Sequence, residues 1–303
     1  MILRALKNIL KHWNSLKTVA YSFRIFSKLS RLGLSVAIAL SAFTGALLYD
    51  HAMSASAVFT FIGVFLLSSA ASALNQYQER DIDKIMSRTR NRPIPMGQLS
   101  PDATLFITTI LTLAGMAVLY WGASFISMFL GIFNMAWYNL VYTPLKRRTS
   151  FALLAGSVNG AIPPIIGWAA VGGQIMDWHV ITIASFMFLW QIPHFWLLSI
   201  RYAEDYQLAR IPSFNLIVDK SLINPILFIW ILCTALSTLL FPLFGLITST
   251  ALVLLLVLLD VSIIGYFALI VFNKRIFRPR AAFLVLTGFQ TLIFILLIFE
   301  ASL

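Results

Sequence analysis

The stretch Asn75-Gln-Tyr-Gln-Glu79-Arg-Asp81-Ile-Asp83 closes an otherwise apolar run, and Arg88-Thr-Arg90-Asn-Arg92-Pro93 follows it. At helical spacing Asn75, Glu79 and Asp83 stand at i, i+4 and i+8, each turned only about 40° from the last, so their oxygens share one face. Asp81 points away from that face. Hard oxygen donors grouped this way suit Mg2+, which takes one or two carboxylates, several waters and the phosphate oxygens of a substrate. The downstream arginines can grip the same phosphates in bidentate fashion. The pattern is that of a site for a metal and a polyanion beside a membrane span.

A second cluster runs from Trp190-Gln-Ile-Pro193-His194-Phe-Trp196 to Arg201-Tyr202-Ala-Glu204-Asp205-Tyr206. A histidine inside an apolar segment needs a hydrogen-bond partner or a ligand, and the sequence leaves both readings of His194 open. Arg201 and Asp205 are one helical turn apart, so they either pair with each other or serve the phosphate and metal. A third polar segment, Tyr142-Thr-Pro-Leu-Lys146-Arg147-Arg148-Thr149, holds three consecutive cations. These mark membrane topology unless an anion lies near them.

The elements that position these groups follow from composition. Of 303 residues, 60% are hydrophobic and 11% charged, well below the ~25% charged content of soluble domains. The chain reads as an all-α polytopic membrane protein. A span needs roughly 20 mostly apolar residues, and nine are read near 34–49, 55–77, 101–121, 123–142, 152–172, 179–200, 222–241, 247–272 and 281–299. All 22 lysines and arginines fall before the first span or after the second, fourth, sixth and eighth. By the positive-inside rule the N-terminus and the polar loops are cytoplasmic and the C-terminus lies outside, in the cell (inner) membrane. The net charge of +11 is therefore a topology signal, with the lipid bilayer and an anionic substrate as partners and no nucleic acid. The single cysteine, Cys233, excludes an intramolecular disulfide and a thiolate metal cluster.

Residues 1–32 form a basic segment in which Leu3, Leu6, Leu10, Trp13 and Leu16 recur at helical intervals, as in a helix lying on the cytoplasmic membrane surface. Residues 33–303 form the intramembrane domain. Its polar loops after spans two and six are separated by four spans, which suggests a duplicated four-helix unit whose polar ends meet across a central cavity. Gly156 and Gly160 make a small-xxx-small step for close helix approach. Asp260, costly inside the eighth span, needs a polar partner such as Ser262.

The string Asn75-x-x-x-Glu79-Arg-Asp-Ile-Asp83, with Arg88-Thr89, Arg92-Pro93, Tyr142-Thr-Pro-Leu-Lys-Arg-Arg-Thr149, Gly160-Ala-Ile-Pro-Pro-Ile-Ile-Gly-Trp168 and Pro193-His194-Phe195-Trp196, resembles the heme O synthase (protoheme IX farnesyltransferase) branch of the UbiA-type intramembrane prenyltransferases. The resemblance spans roughly residues 33 to 300. It implies nine helices around a central cavity and transfer of a farnesyl group from farnesyl diphosphate to a vinyl of heme B, with hydration. In that frame Asn75, Glu79, Asp83 and Asp205 hold Mg2+, Arg88, Arg92, Lys146, Arg147 and Arg201 hold diphosphate, and His194 meets the heme. The product would pass to a heme A synthase or terminal oxidase.

Three departures from the branch's usual pattern stand out. Glu79 replaces the usual aspartate. Thr149-Ser-Phe-Ala152 replaces Thr-x-x-Asn, and Ala209-Arg210-Ile-Pro212-Ser213 replaces Ala-Gly-x-Pro-Met. Arg201 stands where quinone-directed relatives carry an aspartate, which favours heme over an aromatic acid or quinone precursor. A transporter needs binding residues near the midplane, against the one-sided clustering here. A non-catalytic heme- or lipid-binding role leaves the acid and arginine motif without a task.

Overall fold

The computed structural model describes residues 20–272 and 277–303. The surface helix expected around Leu3 to Leu16 lies outside the described residues. Among the described residues nine helices are long and apolar enough to cross a membrane: α1 (Leu32–Asp50), α2 (Ala55–Gln78), α3 (Pro101–Gly122), α4 (Phe125–Leu145), α5 (Ala152–Ala170), α6 (Trp178–Arg201), α7 (Ser221–Leu243), α8 (Thr250–Phe272) and α9 (Pro279–Ala301). Each lies within about three residues of its expected span. Their starts follow from local chemistry. Ser54, Ser100 and Ser124 accept from the backbone N–H of Ala57, Ala103 and Ser127, and Pro101 and Pro279 occupy first-turn positions where no N–H is needed.

Successive helices pack on one another, and α9 returns to α1 and α6, closing a ring. The ends of α2, α4, α6 and α8 and the starts of α1, α3, α5, α7 and α9 gather at one end, which carries the polar loops. At the opposite end α5 crosses α1 with backbones in contact. A Cβ at Gly45 would run into the Pro164 carbonyl, and one at Gly167 into the Ala42 carbonyl. This close approach, rather than Gly156 and Gly160, joins helix to helix. Gly156 instead leaves room for the rings of Tyr142 and Phe195, and Gly160 for the Gln191 amide.

Asp260 of α8 is buried and accepts from the Thr238 hydroxyl of α7 at 2.8 and 2.9 Å. Ser262, the expected partner, donates to Leu258 of its own helix. Two residues along a helix turn the side chain about 200°, to the opposite face.

The last turns of α4, Trp137–Tyr142, widen into a π-helix. Such widening is frequent at functional sites. Here the Thr143 hydroxyl donates to the Tyr138 carbonyl at 2.9 Å, and the turn brings Tyr138 and Tyr142 to the polar end of the ring.

Candidate active site

Helix α2 stops at Gln78, and a short helix, Arg80–Ile85, continues beyond Glu79. The break does not cost the register. The Glu79 N–H donates to the Asn75 carbonyl at 3.0 Å and the Asp83 N–H to the Glu79 carbonyl at 2.8 Å, so the three residues keep one face. Asp81 turns outward and pairs with Lys84.

Each member of the buried face has a basic partner. Arg31 donates to Asn75 Oδ1 at 2.8 Å and to the Tyr138 hydroxyl at 3.2 Å, while Asn75 Nδ2 donates to Thr143 at 3.1 Å. Lys146 holds Glu79 Oε2 at 2.8 Å, and Arg92 holds Asp83. Burial pushes the Glu79 carboxyl up, but the Lys146 charge and hydrogen bond, with Arg31 and Arg92, more than offset it and leave it below the usual carboxylate range. Burial and the like charge of Arg31 push Arg92 down to about 10, with Asp83 pulling the other way.

The second loop is tied to the first. Asp205 accepts from the Ser87 N–H at 2.9 Å, the Ser87 hydroxyl at 3.0 Å and the Arg88 N–H at 3.1 Å. Burial raises its carboxyl, and these hydrogen bonds together with Arg88 bring it below the usual range. Asp205 therefore braces the turn that presents Arg88, and it does not pair with Arg201. Arg201 is exposed and stacks on Tyr202 at 5.1 Å, and Arg147 donates outward to the Gln78 carbonyl at 2.7 Å. Neither lines the cavity.

That cavity, about 480 Å³, opens behind the motif. Its charged lining consists of Arg31, Arg88, Arg92 and Lys146 against Glu79 and Asp83, an excess of two positive charges. Deeper walls are apolar, among them Val64, Leu67, Met135, Leu153, Met187 and Phe195. His194 is set in this wall between Trp190 and Phe283, with ring centroids at 4.4 and 4.6 Å, and its Nδ1 has no hydrogen-bond partner among the described residues.

Among the described residues no three His, Cys, Asp or Glu side chains come close enough to hold a metal by themselves. A hard divalent ion nevertheless fits, because Mg2+ needs only one or two carboxylates plus substrate oxygens. Glu79 Oε1 is buried without a hydrogen-bond partner and supplies such a donor beside Asp83.

Sequence reasoning missed Arg31, read only as a topology signal, and Tyr138, Tyr142 and Thr143, whose roles depend on the π-turn. It also missed Asn134, Asn159, Gln191 and Gln290 in the cavity wall. Their signal was present, since amides inside apolar spans are expensive unless they meet a ligand or partner.

Known proteins similar to this chain share one family. The chain is 43% identical over 209 residues to a protoheme IX farnesyltransferase of Geobacter sulfurreducens, covering 68% of this chain and 76% of that protein. It is 35% identical over 247 residues to one from Nitratidesulfovibrio vulgaris, covering 82% and 86%. Its fold is similar to a structure described for digeranylgeranylglyceryl phosphate synthase, with a TM-score of 0.75 at 14% identity over 92% of this chain and 98% of that one. A UbiA homolog from Archaeoglobus fulgidus bound to GPP and Mg2+ gives a TM-score of 0.66 at 14% identity, over 91% and 98%. The UbiA prenyltransferase family model matches residues 36–298, and the chain belongs to that family.

Proposed function

We propose that the protein transfers the farnesyl group of farnesyl diphosphate to a vinyl group of heme B, with addition of water, to give heme O and diphosphate. The observation that carries this reading is a rim with excess positive charge around two buried carboxylates, at the mouth of an apolar cavity that has His194 in its wall. A diphosphate matches the rim, a farnesyl chain matches the wall, and a porphyrin gives the unpartnered histidine a ligand. The relatives that cover most of the chain are protoheme IX farnesyltransferases.

The residues divide the work by depth. Asn75, Glu79 and Asp83 offer oxygens to Mg2+, which when bound neutralises charge on the diphosphate. Lys146 and Arg92 then turn from the carboxylates toward the phosphate oxygens, joined by Arg88 and Arg31. These cations stabilise the charge that develops as the allylic C–O bond breaks. The stacked rings of Tyr138, Tyr142 and Phe195, with centroids 5.5 and 5.9 Å apart, lie between this rim and the apolar wall. They offer π faces to the farnesyl cation and exclude water from its front. Asp205 holds the Arg88 turn, while Arg147 and Arg201 add to the outer field that draws an anion in.

The polar end faces the cytoplasm and the C-terminus the outside, on the one-sided distribution of lysine and arginine. The product, a membrane-bound heme, passes laterally to a heme A synthase or terminal oxidase. The test is to incubate purified protein with farnesyl diphosphate, heme B and Mg2+ and read the porphyrin mass. Heme O is the expected product, and its formation should stop in EDTA. Prenylation of a hydroxybenzoate in place of heme would overturn the acceptor and keep the diphosphate chemistry. His194→Ala should weaken the heme titration, read as an absorbance change, far more than it weakens farnesyl diphosphate binding.

A further inference from the structure

Below the cation rim the cavity carries a second polar feature that farnesyl transfer leaves without a task. Asn134 of α4, Asn159 of α5 and Gln191 of α6 all line it. Asn134 Nδ2 stands 3.5 Å from the Asn159 carbonyl, and Gln191 Oε1 fills the space that a Cβ at Gly160 would need. The Asn159 partner is its backbone carbonyl, so the three side-chain amides line one cavity where three helices join. Asn134 Oδ1 and both amide atoms of Asn159 are covered and have no hydrogen-bond partner among the described residues. Gln191, half-buried, is the amide that reaches the open cavity.

A farnesyl chain can satisfy none of these groups. The ligand that suits clustered amides is small, neutral and able both to donate and to accept, which describes water. Gln191 is also one helical turn deeper than His194 on the same face of α6, so an acceptor that meets His194 lies against Gln191.

We propose that Gln191 holds the water that becomes the hydroxyl of the product. This rests on the heme farnesylation proposed above. The vinyl π electrons form the bond to farnesyl C1, and the C–O pair leaves on diphosphate. The cation is left on the vinyl carbon beside the pyrrole. The oxygen of the held water bonds to that carbon, and one of its protons passes to the departing diphosphate. Without that water the cation sheds a proton from the neighbouring CH2, and the product is an alkene lighter by one water.

The experiment reads the alkene-to-alcohol ratio of farnesylated porphyrin by mass spectrometry in wild type, Gln191→Leu and Gly160→Ala. In Gln191→Leu the ratio should rise about ten-fold or more, with diphosphate release falling only about three-fold or less. Gly160→Ala, whose methyl crowds Gln191 Oε1, should move the ratio the same way and decides the matter if the leucine variant does not fold. An unchanged ratio overturns the proposal, as does loss of all farnesyl transfer in Gln191→Leu, which would put Gln191 before hydration. A wild type that farnesylates no porphyrin overturns the heme reading, and this inference with it.

Discussion

Glu79 and Lys146, and Asp83 and Arg92, are buried ion pairs. Breaking such a pair by removing one member leaves an uncompensated charge. In the reaction proposed above, a metal and a diphosphate arriving together would spare that penalty, because each carboxylate would gain a cation as each basic group gains an anion. Asp83→Asn keeps the volume and one oxygen but loses the charge that a divalent ion needs. Its farnesyl transfer should fall roughly 10²-fold or more, while the protein still elutes as a folded species. Glu79→Asp, one methylene shorter, should keep Mg2+-dependent turnover; complete loss there would mean the motif geometry is wrong. Asp205 gives a separate test through pH. Its folded carboxyl lies below the usual value, so its stabilisation is fully present above the ordinary carboxylate pKa of about 3.9 and is lost as pH falls through the lower folded value. The melting-temperature gap between wild type and Asp205→Asn should therefore be largest near neutrality and close in strong acid. A gap that does not change with pH would contradict the bracing role.

At the scale of the elements, the nine spans were legible because apolar length decides them. The face shared by Asn75, Glu79 and Asp83 was legible as well, since the i to i−4 bonds survive the break at Glu79. Partner choice was not. Spacing left Asp205 either paired with Arg201 or serving the phosphate and metal, yet it accepts from the backbone N–H groups of Ser87 and Arg88, more than a hundred residues away in sequence. The same holds for Asp260 and Thr238. Glycine roles were equally hidden, because a sequence cannot say which glycine meets backbone and which meets a flexible side chain. Gly167→Ala drives a methyl into the Ala42 carbonyl and should destabilise by about 1–3 kcal/mol, lowering the melting temperature in detergent. Gly265→Ala has nothing within 4 Å of the new methyl and should be neutral or stabilising by about 0.5–1 kcal/mol. Equal melting shifts for the two would refute the assignment of the α1–α5 crossing.

For the whole molecule, the ring of helices gathers the lysines and arginines of the described residues at one end and joins α1 to α5 by backbone contact toward the other, so reagents and substrates meet two chemically different faces. The orientation proposed above, with lysine and arginine retained on the inner side, puts the polar face in the cytoplasm. In a background where lipid-facing Cys233 is replaced by alanine, single cysteines introduced at Asp81 and Met53 report the two ends. The Asp81 carboxylate belongs to a side chain 81% exposed at the polar end, and Met53, 76% exposed, lies between α1 and α2 at the opposite end. A membrane-impermeant thiol reagent added to intact cells should label Met53→Cys and leave Asp81→Cys unlabelled until the membrane is opened. Neither substitution touches the buried face of the motif, so both proteins should remain active. Labelling of both positions from the same side would break the count of spans between them, and the reverse pattern would put the diphosphate rim outside the cell, away from the cytoplasmic pool of prenyl diphosphate that the proposed reaction consumes.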